Sequence, residues 1–261
     1  MATLAAREKG GTARLLRWTL LLALLLALAA LVLLASGPLG WRFGLWHYRV
    51  AFQNLMPWAA YCGLAAMAVA AVAVAAIGLA VGWRGVRARH IAIGAIAFLL
   101  GAAVASVPWG YDRMRGMVPN DITTDLDNPP VYVAVLPLRK AANASNAGDY
   151  NPAKAEQQRR NYPDISPATV DLPRDQAFER AVATVQRLGW TMIAMDPGAG
   201  RVEASERSRW FGFTDDVVIR VTPAASGSRV DIRSSSRLGT GDFGVNAKRV
   251  RAYLAALSGK S

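Results

Sequence analysis

Three long apolar runs, Leu15–Ala35, Leu55–Val81 and Ile91–Val107, fall within the first 110 residues. Each is long enough, or nearly so, to cross the hydrocarbon core of a bilayer as a helix. The chain is therefore expected to live in a membrane, with its polar C-terminal half hanging from the third span. The first run follows Arg14, carries Arg17 at its start and leads into Leu-Leu-Ala-Ser-Gly, much as a signal peptide would. Its apolar length of about 20 residues exceeds a normal signal core, and two more spans follow, so it is read as a retained helix. Apart from Arg17 at the start of the first, none of the runs contains a charged residue. Intramembrane charges mark ion and proton paths, which weighs against a transporter or channel.

Charge orients the spans. Of the formal net charge of +12, two thirds lies before residue 110, where Arg7, Lys9, Arg14, Arg17, Arg42, Arg49, Arg84, Arg87 and Arg89 stand against Glu8 alone. Basic residues in short flanks favour the cytoplasmic side. The N-terminal arm and the link carrying Arg84, Arg87 and Arg89 outnumber the opposite flanks, which carry Arg42, Arg49, Arg113 and Arg115, by seven to four. The N-terminus is expected in the cytoplasm and the C-terminal domain outside. Heavy use of Arg and Ala points to a bacterium with a GC-rich genome, hence to an inner membrane and a periplasmic domain.

The link after the first span holds Trp41, Phe43, Trp46, His47, Tyr48 and Phe52, rings suited to the headgroup layer. The second span is rich in alanine, from Ala65 to Ala76. Small residues let helices approach closely, packing the three spans together or a second copy against them.

The remaining stretch carries +4 spread over 38 charges, which is not the basic stripe that nucleic acid requires. It has no His and no Cys, since His47, His90 and Cys62 all lie in the membrane half. That removes the commonest zinc ligands and any Ser-His or Cys-His pair. No glycine-rich phosphate loop occurs, so no cofactor and no metal are expected.

Residues 1–14 are read as a cytoplasmic arm, 15–110 as a three-helix transmembrane region, 111–172 as an extended segment draped over a surface, and 173–261 as an α+β domain. Within 111–172, Asn120–Pro130 is turn chemistry, Val131–Leu136 is a short strand, and Glu156–Arg160 makes one helical turn. Beyond Pro173, Phe178, Val182, Val185 and Leu188 recur on one helical face. Trp190–Met195 and Arg201–Arg207 form a hairpin, and Thr214–Thr222 and Arg229–Arg237 a second one. Phe243, Ala247, Val250, Leu254 and Leu257 stripe a last helix that Asp242 can cap. The fold class expected is three transmembrane α-helices followed by a four-stranded antiparallel sheet with two helices on one face.

In the second hairpin Val217, Ile219 and Val221 must share the core face with Val230 and Ile232. That register pairs Val221 with Val230 and Arg220 with Asp231. It sets Asp216 opposite Ser235, diagonally between Arg233 and Arg237, and leaves Asp215, Ser234 and Ser236 on the core face.

These residues carry a resemblance. Phe211-Gly-Phe-Thr-Asp-Asp216, Arg233-Ser-Ser-Ser-Arg237 and Gly241-Asp-Phe-Gly-Val-Asn246 with Lys248-Arg249 resemble the domain of unknown function family 1499 over about residues 120–258. Ile122-Thr-Thr-Asp125 and Asn128-Pro-Pro130 resemble its longer, membrane-anchored members. The family implies no mechanism.

Asp216, Arg233, Arg237, Asp242, Asn246 and Arg249 are the candidate site residues. As structural groups they would order the hairpin and cap the helix. As a binding site, Arg233 and Arg237 would grip a phosphate or carboxylate, joined by Asn246 and Arg249 if that end folds over. Catalysis is the weakest reading, because adjacent Asp215 and Asp216 point to opposite faces. Two functions of different class follow: a membrane-anchored module that binds envelope lipid, a protein partner or a second copy, and an envelope enzyme with an Arg/Asp site. A purely structural subunit of a membrane complex is the third.

Overall fold

The computed structural model describes residues 2–82, 86–114, 119–146 and 148–259. Arg84 and Arg115, two of the charges counted for topology, lie outside the described residues. The chain divides into two units, Met1–Arg113 and Met114–Ser261.

The first unit is helical: α1 (Ala2–Arg42), the short α2 (Tyr48–Val50), α3 (Met56–Val81) and α4 (Ala88–Met114). Within it Arg17–Arg42, Tyr48–Ala80 and Ala88–Gly110 are each long and apolar enough to cross a membrane. Alanine decides how they pack. Ala66, Ala70 and Ala73 of α3 are buried, and the first two cluster with Ala23 and Ala27 of α1 and Ala97 of α4. Ala65, Ala68, Ala71 and Ala75 face outward on the same helix. α3 and α4 approach closely at Gly63 and Gly101, where a Cβ on either would lie 2.5–2.6 Å from the other's carbonyl oxygen. Helices in lipid meet through such small residues because no hydrophobic effect drives them together. The aromatic link is shorter than the sequence implies, since α1 continues to Arg42. There the Trp41 ring meets His47 and Tyr48 edge-on.

The second unit is built on one antiparallel sheet. Its strands are β1 (Asp121–Thr123), β2 (Ala168–Val170), β3 (Thr191–Asp196), β4 (Arg201–Arg207), β5 (Thr214–Pro223) and β6 (Ser228–Ser236). The order is β1-β6-β5-β4-β3, and β2 also pairs with β6. β1 takes residues 233–235 of β6 and β2 takes 228–230, so two short strands share its outer edge. The sheet therefore has six strands, not the four expected. Three-residue strands are too short to show an alternating pattern, which needs four or more residues.

Both extra strands come from the segment read as an extended loop. That segment also forms α5 (Val135–Ala141) and α6 (Ala155–Asn161), the latter where one helical turn was expected. The strand expected at Val131–Leu136 is absent. The amides of Val133, Ala134 and Val135 bond instead to the Glu203 carboxylate at 3.0–3.1 Å. A carboxylate there takes up free N–H groups at the start of α5.

Helices α7 (Arg174–Arg187) and α8 (Val245–Leu257) cover one face of the sheet. Phe178, Ala181 and Val185 of α7 and Ala247, Val250, Tyr253 and Leu257 of α8 pack on Val217, Ile219, Val221, Val230 and Ile232. Each large aliphatic side chain so buried contributes roughly 1.5–3 kcal/mol before the entropy of ordering is subtracted. The expected register holds: Val221 faces Val230, Arg220 faces Asp231 and Asp216 faces Ser235.

Candidate functional site

The β5–β6 hairpin carries charge on both faces, and period 2 sorts it. On the face away from α7 and α8, Asp216 accepts from Arg139 Nε at 2.7 Å and takes a two-bond clasp from Arg237 at 2.8 and 2.9 Å. One carboxylate thus serves two guanidiniums, and the surplus positive charge surfaces at Arg237, whose side chain is 14% exposed. Arg233 is fully buried beside them. It clasps Asp121 at 2.7 and 2.9 Å and donates to the Gly148 and Pro130 carbonyls. Its guanidinium lies 4.8 Å from the Tyr132 ring centroid and 5.4 Å from that of Tyr150. Burial resists the Arg233 charge, yet Asp121 and the two phenols raise its pKa. Burial, with Asp121 adding to it, pushes the Tyr150 phenol up to about 12.

The same face continues toward the other end of the hairpin. Arg220 and Arg229 share Asp125 and Asp231. The burial of Asp125 works against its charge, but the Asn128 amide and the two guanidiniums hold its pKa below the ordinary value.

On the helix side the cluster is separate. Arg249 of α8 donates to Asp215 and Glu206, and also to Ser234 Oγ and Asn246 Oδ1. Asn246 reaches Ser236 and the Asn120 carbonyl. Asp242 accepts from the Gly244 and Asn246 amides and so caps α8, which begins at Val245 rather than at Asp242 itself. Burial raises the pKa of Asp242, and the charge of Asp215 adds to the rise.

The six candidates therefore form two groups. Asp216, Arg233 and Arg237 lie on one face of the sheet; Asp242, Asn246 and Arg249 lie on the other. The expectation that Asn246 and Arg249 would join the arginine pair is not met, because Ser234 and Ser236, which they bond, alternate with Arg233 and Ser235 along β6 and with Arg237 just beyond it. Arg233 and Arg237 do not converge on one anion either, since each is clasped by its own carboxylate. The groups that sequence reasoning missed are Arg139 and Asp121, which bond Asp216 and Arg233, Glu206, which bonds Arg249, and Glu203, which bonds the start of α5. Arg139 and Asp121 sit in the segment 111–172 read as draped over a surface, and nothing local marks them. Glu203 was legible only as one position of a strand.

What the charges hold in place is the end of the sheet where β4 turns into β5 and β6 leaves for α8. Ser208 anchors the first loop by bonding the Phe213 amide, with Phe211 and Phe213 stacked at 5.0 Å. Its tip presents Trp210, 66% exposed. The second loop presents Phe243, 46% exposed, and Val245. Phe243 has φ +57 and is followed by Gly244 at φ +79. A bulky residue in the left-handed region is strained, and the bonds from the Gly244 and Asn246 amides back to Asp242 span it and hold it there. Arg207, Arg209 and Lys248 are exposed at the same end.

Residues 121–257, more than half of the chain, match the family model described as Protein of unknown function (DUF1499). No curated protein and no solved structure matches the chain.

Proposed function

We propose that this chain, which belongs to the DUF1499 family of proteins of unknown function, is a membrane-anchored docking module. Its partner is a protein that brings an apolar side chain and acidic groups to the loop end of the sheet. The carrying observation is Phe243, exposed in a left-handed conformation and pinned by Asp242 at the same end of the sheet as the Trp210 loop. Strain of this kind persists where the surrounding structure enforces it and clusters at functional positions. Exposed Trp and Arg are also the residues that dominate binding energy at protein interfaces. The surplus positive charge at Arg237 and the exposed Arg207 and Lys248 at the same end of the sheet fit an acidic partner.

Three apolar helices support the membrane anchor. The richer basic flanks support a cytoplasmic N-terminus and an extracytoplasmic domain, in a bacterial inner membrane, with membrane lipids around the spans. The alternative, an envelope enzyme working through Asp216, Arg237 and Arg249, has less to stand on. Those groups already serve one another, other carboxylates and side-chain oxygens of the domain.

The test places a photocrosslinking phenylalanine analogue at Trp210 of the full-length chain in native membranes. A discrete protein adduct is expected, and an adduct of twice the chain mass would identify a second copy as the partner. The same probe at Glu179, exposed on α7, is expected to give none. Lipid adducts alone, or none, at position 210 would overturn the reading.

A further inference from the structure

We infer that the first unit holds an acidic glycerophospholipid by its phosphate, in a groove between α1 and α4. The groove has a volume of about 260 Å³ and is lined by Arg17, Leu20 and Leu21 of α1 and by Arg89, His90 and Ile93 of α4. It lies where the first and third apolar spans begin, at Arg17 and Ala88, which is the level of the headgroups.

Among the described residues the cations that line it have no carboxylate partner. Among the described residues neither Arg17 nor Arg89 makes an ion pair, and the sequence has no Asp or Glu between Glu8 and Asp112. Arg87 also lies close enough to act electrostatically on His90, as do Arg17 and Arg89. His90 Nδ1 is buried without a hydrogen-bond partner. Guanidiniums from two helices, with an idle imidazole nitrogen on a residue lining the same groove, suit a phosphate oxygen set, which arginine grips with paired N–H donors. Basic pockets between membrane helices take anionic headgroups on the same grounds.

The apolar wall separates a lipid from a free phosphate. A second groove of about 330 Å³, lined by Trp18, Leu21, Leu22, Leu24 and Leu25, shares Leu21 with the first. An acyl chain leaving the phosphate passes onto that surface. A zwitterionic lipid brings its own cation and gains less from the arginines. This site is independent of the docking reading, because every group in it belongs to the first unit.

The experiment mixes the full-length protein in mild detergent with equal amounts of dioleoyl phosphatidylglycerol and dioleoyl phosphatidylcholine and records native mass spectra. Phosphatidylglycerol adducts are expected to exceed phosphatidylcholine adducts roughly ten-fold. R17A/R89A is expected to bring the two lipids to parity, R17K/R89K to keep most of the preference, and R49A on α2 to leave it intact. Equal adducts of both lipids on the wild-type chain would overturn the inference, and that result needs no variant to fold. So would a phosphatidylglycerol preference untouched in R17A/R89A. Inorganic phosphate is expected to leave no stable adduct; one as abundant as that of phosphatidylglycerol would overturn the assignment to a lipid.

Discussion

Arg139 and Asp216, 77 residues apart in the chain, meet as an ion pair with 2.7 Å between Nε and Oδ2 and side chains 1% and 0% exposed. The pair ties α5 to the middle of the sheet. Buried pairs are poor evidence of net stability, but breaking one strands a charge. Asp216→Ala strands both Arg139 and Arg237 and is expected to cost about 3–5 kcal/mol. Arg139→Ala leaves Asp216 clasped by Arg237 and should cost clearly less. Hydrogen exchange of β5 and β6 amides in the full-length chain reads both, and equal losses would contradict this assignment.

Glu203 closes three amides at the start of α5. Glu203→Ala leaves the buried Val135 N–H without an acceptor, at about 1–3 kcal/mol, and releases the part-buried amides of Val133 and Ala134 at smaller cost. Glu203→Gln keeps one acceptor oxygen and should fall between. Exchange of residues 133–141 should rise most; a rise spread evenly over the sheet would argue against the local role.

Asp242 and Asp125 have opposite pH signatures. Burial raises the folded pKa of Asp242 above its unfolded value, so the folded domain binds this proton more tightly. Its contribution is largest at low pH, falls as pH rises from the ordinary carboxylate value through the folded one, and is level above. The folded pKa of Asp125 is lowered, so its contribution is complete above the ordinary value and is lost as pH falls through the folded one. Asp242→Asn should abolish the first slope while keeping an acceptor for the α8 amides. Asp242→Ala should lose the cap, about 1 kcal/mol. Denaturant midpoints across acid pH check both, and an Asn variant with the wild-type slope would refute the assignment.

Much of the domain was legible because period 2 is strict on the second hairpin. The alternation of Val217, Ile219 and Val221 against Val230 and Ile232 allows one register, and that register also delivers the Arg220–Asp231 pair. The same alternation divides the six candidates between faces, which a list of conserved-looking charges cannot show. The partners of Asp216 and Arg233 were hidden for another reason. Arg139 and Asp121 lie 77 and 112 residues from the groups they bond, in pieces too short or irregular to carry a pattern. In the spans, alanine content was visible, but which alanines face inward depended on helix pairing.

Gly101→Ala should weaken the α3–α4 contact, because its Cβ would fall 2.5 Å from the Gly63 carbonyl oxygen. Overpacking of this kind costs about 1–3 kcal/mol. Thermal unfolding of the full-length chain in detergent should show it, whereas Gly110→Ala, with open space around its Cβ, should not.

The central claim is that the motif charges build the domain while the loop end displays Trp210 and Phe243. It is tested most directly by crosslinking from position 210 in a Phe243→Ser background, with hydrogen exchange of the sheet recorded on the same protein. The account predicts wild-type exchange in β5 and β6 together with loss of the protein adduct. An adduct of undiminished yield, or a sheet that loosens as far as in Asp216→Ala, would contradict it.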